Sequence, residues 1–312
     1  MESSLIANAL QVNFDSVLGF PDNDGIVNMF KALESTGLRG FLGCPSVLYE
    51  QALEQFFDTA FDRENEVVSA VQGKFVGISE EQFSGVFELP MIGLTDVADV
   101  PKDLVYHARS IFSKSGEPVK TSCKKRKMKY EFHLLNDILE KSVTVKAGSF
   151  DAVTHEQFLL MTTIHFGLKI IWSKFLFDIL KEMVTKSFMQ AKGFAAQVCV
   201  LLKRAPNLTL GEAKTFPPQK ILNMKTVGTY VAKNKISVLT RMSQRNQFLR
   251  RLQQRGDQLL LLLSLQLRRS EPLWGELLPQ KRSWRWFQWF KILNPYLWSL
   301  LQLSGPVLIN KY

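Results

Sequence analysis

The chain has 312 residues with 39 Lys and Arg against 29 Asp and Glu, and a mean hydropathy of −0.02. Its 46% apolar content is enough for a sizeable core, and 22% charged residues exclude the disordered class. The net charge of +10 is unevenly spread: residues 236–312 hold twelve Lys and Arg against three acids, leaving 27 bases and 26 acids in residues 1–235. The basic character therefore belongs to the tail, and the chain divides by composition into a body, 1–235, and a tail, 236–312.

Apolar spacing in the body is mostly helical. Ile26, Met29, Phe30 and Leu33 recur at i, i+3, i+4 and i+7, and Gly37 is placed to stop that helix. Pro45 suits a first helical turn, after which Leu48, Ala52, Leu53, Phe56, Phe57 and Ala60 form one apolar face. The period then changes. Glu66–Val71, Gln72-Gly73 and Lys74–Ile78 read as a β-hairpin about a glycine turn. Ser79 with Gln82 makes a capping box that starts a helix ending by Leu89-Pro90.

Further helices are expected over 102–112, 126–141, 154–168, 172–190 and 193–203. Thr154 and Gln157 repeat the capping-box pattern, and Trp172, Phe175, Leu176, Ile179, Leu180 and Met183 form the clearest amphipathic stripe. Residues 90–101 and 204–218 are connections. The fold class read from this is mainly α: a helical domain with one small β-hairpin at 66–78, followed by a C-terminal tail.

The search for chemistry is largely negative. Cys44, Cys123 and Cys199 are scattered and odd in number, which points to reduced thiols rather than a disulfide framework. With no basic, apolar leader at the N-terminus, the expectation is an intracellular protein of cytoplasm or nucleus, and an idle Asn207-Leu-Thr209 sequon. His107, His133, His155 and His165 make no paired ligand spacing, and His165 between Ile164 and Phe166 reads as a core or boundary histidine. Gly73-Lys74 lacks the remainder of a phosphate loop, and there is no nucleophile elbow. No catalytic, cofactor-binding or metal residue is assigned, no cofactor is implied, and no small-molecule substrate is identified.

One charge signal stands out in the body. Lys124, Lys125, Arg126, Lys127 and Lys129 put five cations into six residues, a pattern that contacts phosphates or acts as an import signal. The competing reading is a solvated helix start, since Glu131, Asp137 and Glu140 follow at once. Cations at a helix N-terminus oppose the macrodipole, which hints at a use, but charge runs are common on surfaces and the solvated face is the stronger reading.

Four segments carry a family resemblance: Leu48-Tyr-Glu-Gln-Ala-Leu-Glu-Gln-Phe-Phe57, Val71-Gln-Gly-Lys-Phe-Val76, Ile78-Ser-Glu-Glu-Gln-Phe83 and Val86-Phe-Glu-Leu-Pro90. Together they resemble the plant transposon protein domain, with its helix, V-x-G-K-x-V hairpin, polar-capped short helix and terminal Leu-Pro. Glu54-Gln55-Phe56-Phe57 departs from that pattern by one inserted residue. The resemblance spans residues 20–230 and implies a mobile-element origin, without implying any catalytic residue set. The expected function is a non-enzymatic interaction or packaging module whose partner is nucleic acid or a second copy of the chain. The alternatives are a metal-dependent enzyme of element mobilisation, acting as nuclease or in strand transfer, and a membrane-associated protein.

The tail is of another kind. It holds five of the six Trp (Trp274, Trp284, Trp286, Trp289, Trp298) and the run Leu259–Leu263. At face value 284–309 is a membrane-surface or nucleic-acid segment, although Lys291, Asn294, Pro295 and Pro306 make it a poor spanning helix. A change of reading frame explains more. Permitted codons for Met242 onward, read from the third base, give EPEEPVSEKAAAKRRP, a solvated polar tail of the kind the resembling proteins carry.

Overall fold

The structure is a computed structural model that describes residues 9–21, 23–145, 151–185, 192–234, 236, 246–251 and 253–256. The chain divides into two units, residues 1–237 and 238–312. In the second, residues 246–251 and 253–256 are helical, and Phe248 and Leu249 are exposed. The expected segment 284–309 and most of the shifted reading lie outside the described residues.

The first unit is mainly helical. Strand β1 (Gln11–Val12) leads into α1 (Phe14–Leu18), capped by Asn13, and α2 (Asp24–Leu33), capped by Asn23. Ile26, Met29, Phe30 and Leu33 are all buried, as their spacing requires. Gly37 breaks the helical run, as expected. At φ 91° it kinks the chain through a wide turn, Glu34–Leu38, into α3 (Arg39–Leu42). A Cβ there would meet Pro90 Cγ at 2.4 Å, so the kink also lets the Leu89-Pro90 segment close against it.

Pro45 lies outside any helix. Val47–Leu48 is strand β2, and α4 runs from Glu50 to Thr59. The expected first turn is lost because β2 pairs with a distant partner, and the apolar face from Leu48 to Ala60 is buried all the same. The hairpin forms as β4 (Glu66–Val71) and β5 (Lys74–Ser79), in register Val71↔Lys74 through Glu66↔Ser79. A strand that the sequence does not announce, β3 (Phe61–Arg63), adds to it in the order β3-β4-β5. Helix α5 (Glu80–Phe87) follows with a complete capping box at Ser79 and Gln82.

Next come α6 (Lys102–Ile111), β6 (Cys123–Lys124), α7 (Tyr130–Ile138), β7 (Ala152–Val153), α8 (His155–His165), α9 (Trp172–Val184) and α10 (Ala195–Arg204). Strands β8 (Lys214–Thr215) and β9 (Ile221–Leu222) close the order, and residues 224–234 are helical. Three two-residue ladders stitch remote parts together: β1 parallel to β9, β2 antiparallel to β8, β6 antiparallel to β7. Short ladders of this kind close long loops that helices alone leave open. At the core Phe41 meets the rings of Phe83, Phe87 and Phe194, and Trp172 is fully buried.

Candidate nucleic-acid interface

The basic run does not start a helix. Lys124 pairs with Ala152, and the Lys125 N–H donates to Asp151 O at 2.9 Å, which holds Cys123–Lys124 extended. Lys125–Lys127 then makes a single tight turn, and α7 begins only at Tyr130. The far side is fastened to the end of α6. Lys114 N–H donates to Lys127 O and Lys129 N–H to Phe112 O, both at 2.9 Å, around a Ser113–Met128 bridge. Met128 is buried and anchors the segment. A run of cations that would repel one another in a mobile loop is thus fixed by main-chain bonds on both flanks.

That anchoring sorts the five cations. Lys125 turns inward: its Nζ donates to Asp137 Oδ1 at 2.6 Å and Glu140 Oε2 at 2.8 Å, and its side chain is 12% exposed. Asn136 Nδ2 donates to the same Glu140 oxygen at 3.1 Å. Burial works against the Lys125 charge, but the two carboxylates outweigh it and raise its pKa. Lys125 is thus paired with two carboxylates and set apart from the exposed cations of the run. Lys129 is half-buried and occupies the N-cap of α7.

Lys124, Arg126 and Lys127 are exposed and have no ion-pair partner among the described residues. Lys114, also exposed, is brought beside Lys127 by the main-chain bond between them. Local spacing gives no sign of Lys114, because it lies thirteen positions before Lys127. Glu117 and Asp151 are the exposed acids in the chain segments that build the patch.

Two histidines lie near the run, His133 partly buried and His165 solvent-exposed with its ring packed on one side. His133 is held below its ordinary pKa by burial, as is His165, which Lys129 lowers further. The His165 ring stands edge-on to Phe112, Phe132 and Phe166, so it is the boundary histidine its neighbours suggest. Among the described residues, no three His, Cys, Asp or Glu side chains are placed to hold a metal ion. Burial pushes the Cys44 thiol up to about 12 and the Cys199 thiol up to about 11, leaving both as poor nucleophiles. Among the described residues no helix is long and apolar enough to cross a membrane.

Comparison with family models, with curated proteins and with solved structures finds no match to this chain.

Proposed function

We propose that residues 1–235 form a non-enzymatic nucleic-acid-binding module of a plant mobile element. The observation that carries this reading is the division of the basic run: Lys124, Arg126 and Lys127 are presented to solvent on a rigid segment, with Lys114 beside them. Cations carried on an already fixed main chain add no backbone ordering cost on meeting a phosphate backbone, and phosphate contacts supply most sequence-independent affinity. The resemblance of residues 48–90 to the plant transposon protein domain supports the mobile-element origin. An interface built this way reads charge and spacing, not base sequence.

The test is fluorescence anisotropy of the full chain with a short DNA duplex and a single-stranded RNA across a salt series. Because the tail is basic too, the informative quantity is the difference between proteins. Replacing Lys114, Lys124, Arg126 and Lys127 by Ser should flatten the log–log salt slope by about 3–4 units, at about 0.9 per duplex phosphate contact. An unchanged slope and affinity would remove the interface. Magnesium-dependent cleavage of either oligonucleotide would transfer the reading to a mobilisation enzyme.

A further inference from the structure

A second surface lies on the hairpin, away from the basic run. Strand β5 is the outer strand of its sheet, so among the described residues one of its edges has no neighbouring strand. The two-residue turn makes Val71 and Lys74 a hydrogen-bonded pair, and alternation along an antiparallel ladder then fixes the rest. The main-chain groups of Lys74, Val76 and Ile78 face β4, and those of Phe75, Gly77 and Ser79 face outward. The Ser79 N–H is taken by Gln82 Oε1 at 3.2 Å. The N–H and C=O of Phe75 and Gly77 have no partner among the described residues.

This edge borders a groove of about 500 Å³ whose other walls are α5, through Gln82 and Val86, and the end of α10 with residues 205–208. Its apolar lining includes Leu201 and Leu208, and Phe75 at the rim is 80% exposed. Lys74 and Arg204 are the charged residues of the lining, and no acid contributes to it. Lys74 reaches across to Asn207 O, so the wall and the strand are fastened at one end.

We propose that this groove binds an extended acidic peptide, which adds to β5 as a fourth strand. The free groups of Phe75 and Gly77 recur every second residue, the repeat at which a strand offers its own donors and acceptors. From Phe75 to Ile78 the edge spans about 13 Å, enough for four residues of extended chain. Alternate side chains of the peptide face the groove, where apolar ones pack against Val86, Leu201 and Leu208 and an acid on that same face meets Lys74 and Arg204. A native edge of this length is usually blocked by charge or covered, and here the lysine stands at the end of the strand rather than along it.

The probe is the fluorescein-labelled hexapeptide Glu-Thr-Val-Thr-Val-Thr, whose glutamate and valines share one face when extended, read by anisotropy with the full chain. Saturable binding is expected, at least ten-fold weaker for a peptide N-methylated on alternate amides in the register that faces β5. The double variant Lys74→Glu, Arg204→Glu should lose at least ten-fold for the glutamate peptide and gain affinity for its counterpart with lysine in place of glutamate. The N-methylated peptide leaves the protein untouched, so its result does not depend on how a variant folds. Absence of binding by both peptides up to millimolar concentration overturns the proposal, as does binding indifferent to N-methylation. Dimerisation of the full chain that Gly77→Pro abolishes would overturn it too, by assigning the edge to a second copy.

Discussion

Lys125 carries the same charge as its neighbours in the run, and Asp137 and Glu140 decide that its role differs. Removing one partner of a largely buried ion pair leaves the other charges uncompensated, which costs far more than the pair itself contributes. Lys125→Met should therefore destabilise the protein by about 3 kcal/mol and lower Tm by roughly 6–12 °C, read in a thermal melt by circular dichroism. Lys124→Ser, Arg126→Ser and Lys127→Ser should each stay within about 0.5 kcal/mol of the parent, as exposed sites without partners do. A Lys125→Met protein as stable as its neighbours' variants would break the division of the run into inward and outward cations. The two histidines give a second residue-scale outcome. Both have folded pKa values below that of the unfolded chain, about 6.5, so the unfolded chain binds protons first as pH falls. Stability should be fully present above pH 6.5, decline as pH drops through that value, and level off below the folded pKa values with respect to these groups. His165→Phe, which keeps the aromatic packing with Phe112, Phe132 and Phe166, should shallow the decline in Tm between pH 7 and 5; an identical slope would sink the assignment.

At the scale of elements, what was legible was local. The capping box needs only Ser79 and Gln82, three residues apart, and it forms as read. The hairpin turn is also local: Gln72 and Gly73 both take positive φ, 50° and 75°, the signature of a tight turn whose twist matches its strands. Glycine takes this conformation at no cost, whereas Gln72 bears a strain that asparagine tolerates better. Gln72→Asn should therefore raise stability by about 0.5–1 kcal/mol, or Tm by about 1–4 °C, without disturbing the Gln55 bond to the main-chain N–H at this position. A lower Tm in the same melt would contradict the turn assignment. Where remote chain decides, local reading fails. Thr154 caps α8 as expected, but the Gln157 side chain turns away to Thr144 Oγ1 at 2.7 Å, so the second half of that box is missing. Pro45 and the basic run miss their expected helices for one physical reason, since Val47–Leu48 and Cys123–Lys124 are drawn into ladders with residues 214–215 and 152–153. Strand β3 shows no alternation at all, because each of its three residues is exposed. The patch inherits this limit: its run is visible in the sequence, while its sorting by Asp137 and Glu140 and its extension to Lys114 depend on packing.

For the whole molecule, the question is whether residues 238–312 matter to the first unit. The change of composition at 235 and the division at 237 fall together, yet the body holds its own core, from Val12 through Phe41 and Trp172 to Val231. We propose that the tail is a shifted reading of a polar segment, because one frame change accounts at once for the loss of acids, the five Trp and the leucine run. A segment that never evolved against the core has no reason to stabilise it. Deleting residues 238–312 should leave the Tm of the first unit within about 2 °C, under 1 kcal/mol for a domain of this size. Tryptophan emission makes the experiment sharper, since Trp172 is then the one remaining Trp and it is fully buried. The shortened protein should emit to the blue of a solvent-exposed tryptophan and shift to the red in a single step as it melts. Loss of cooperative melting, or a red-shifted native spectrum, would show that the tail completes the fold and would end the frame-change reading. Sequencing related transcripts across codons 233–245 attacks the same reading independently, because an uninterrupted frame in every copy is incompatible with it.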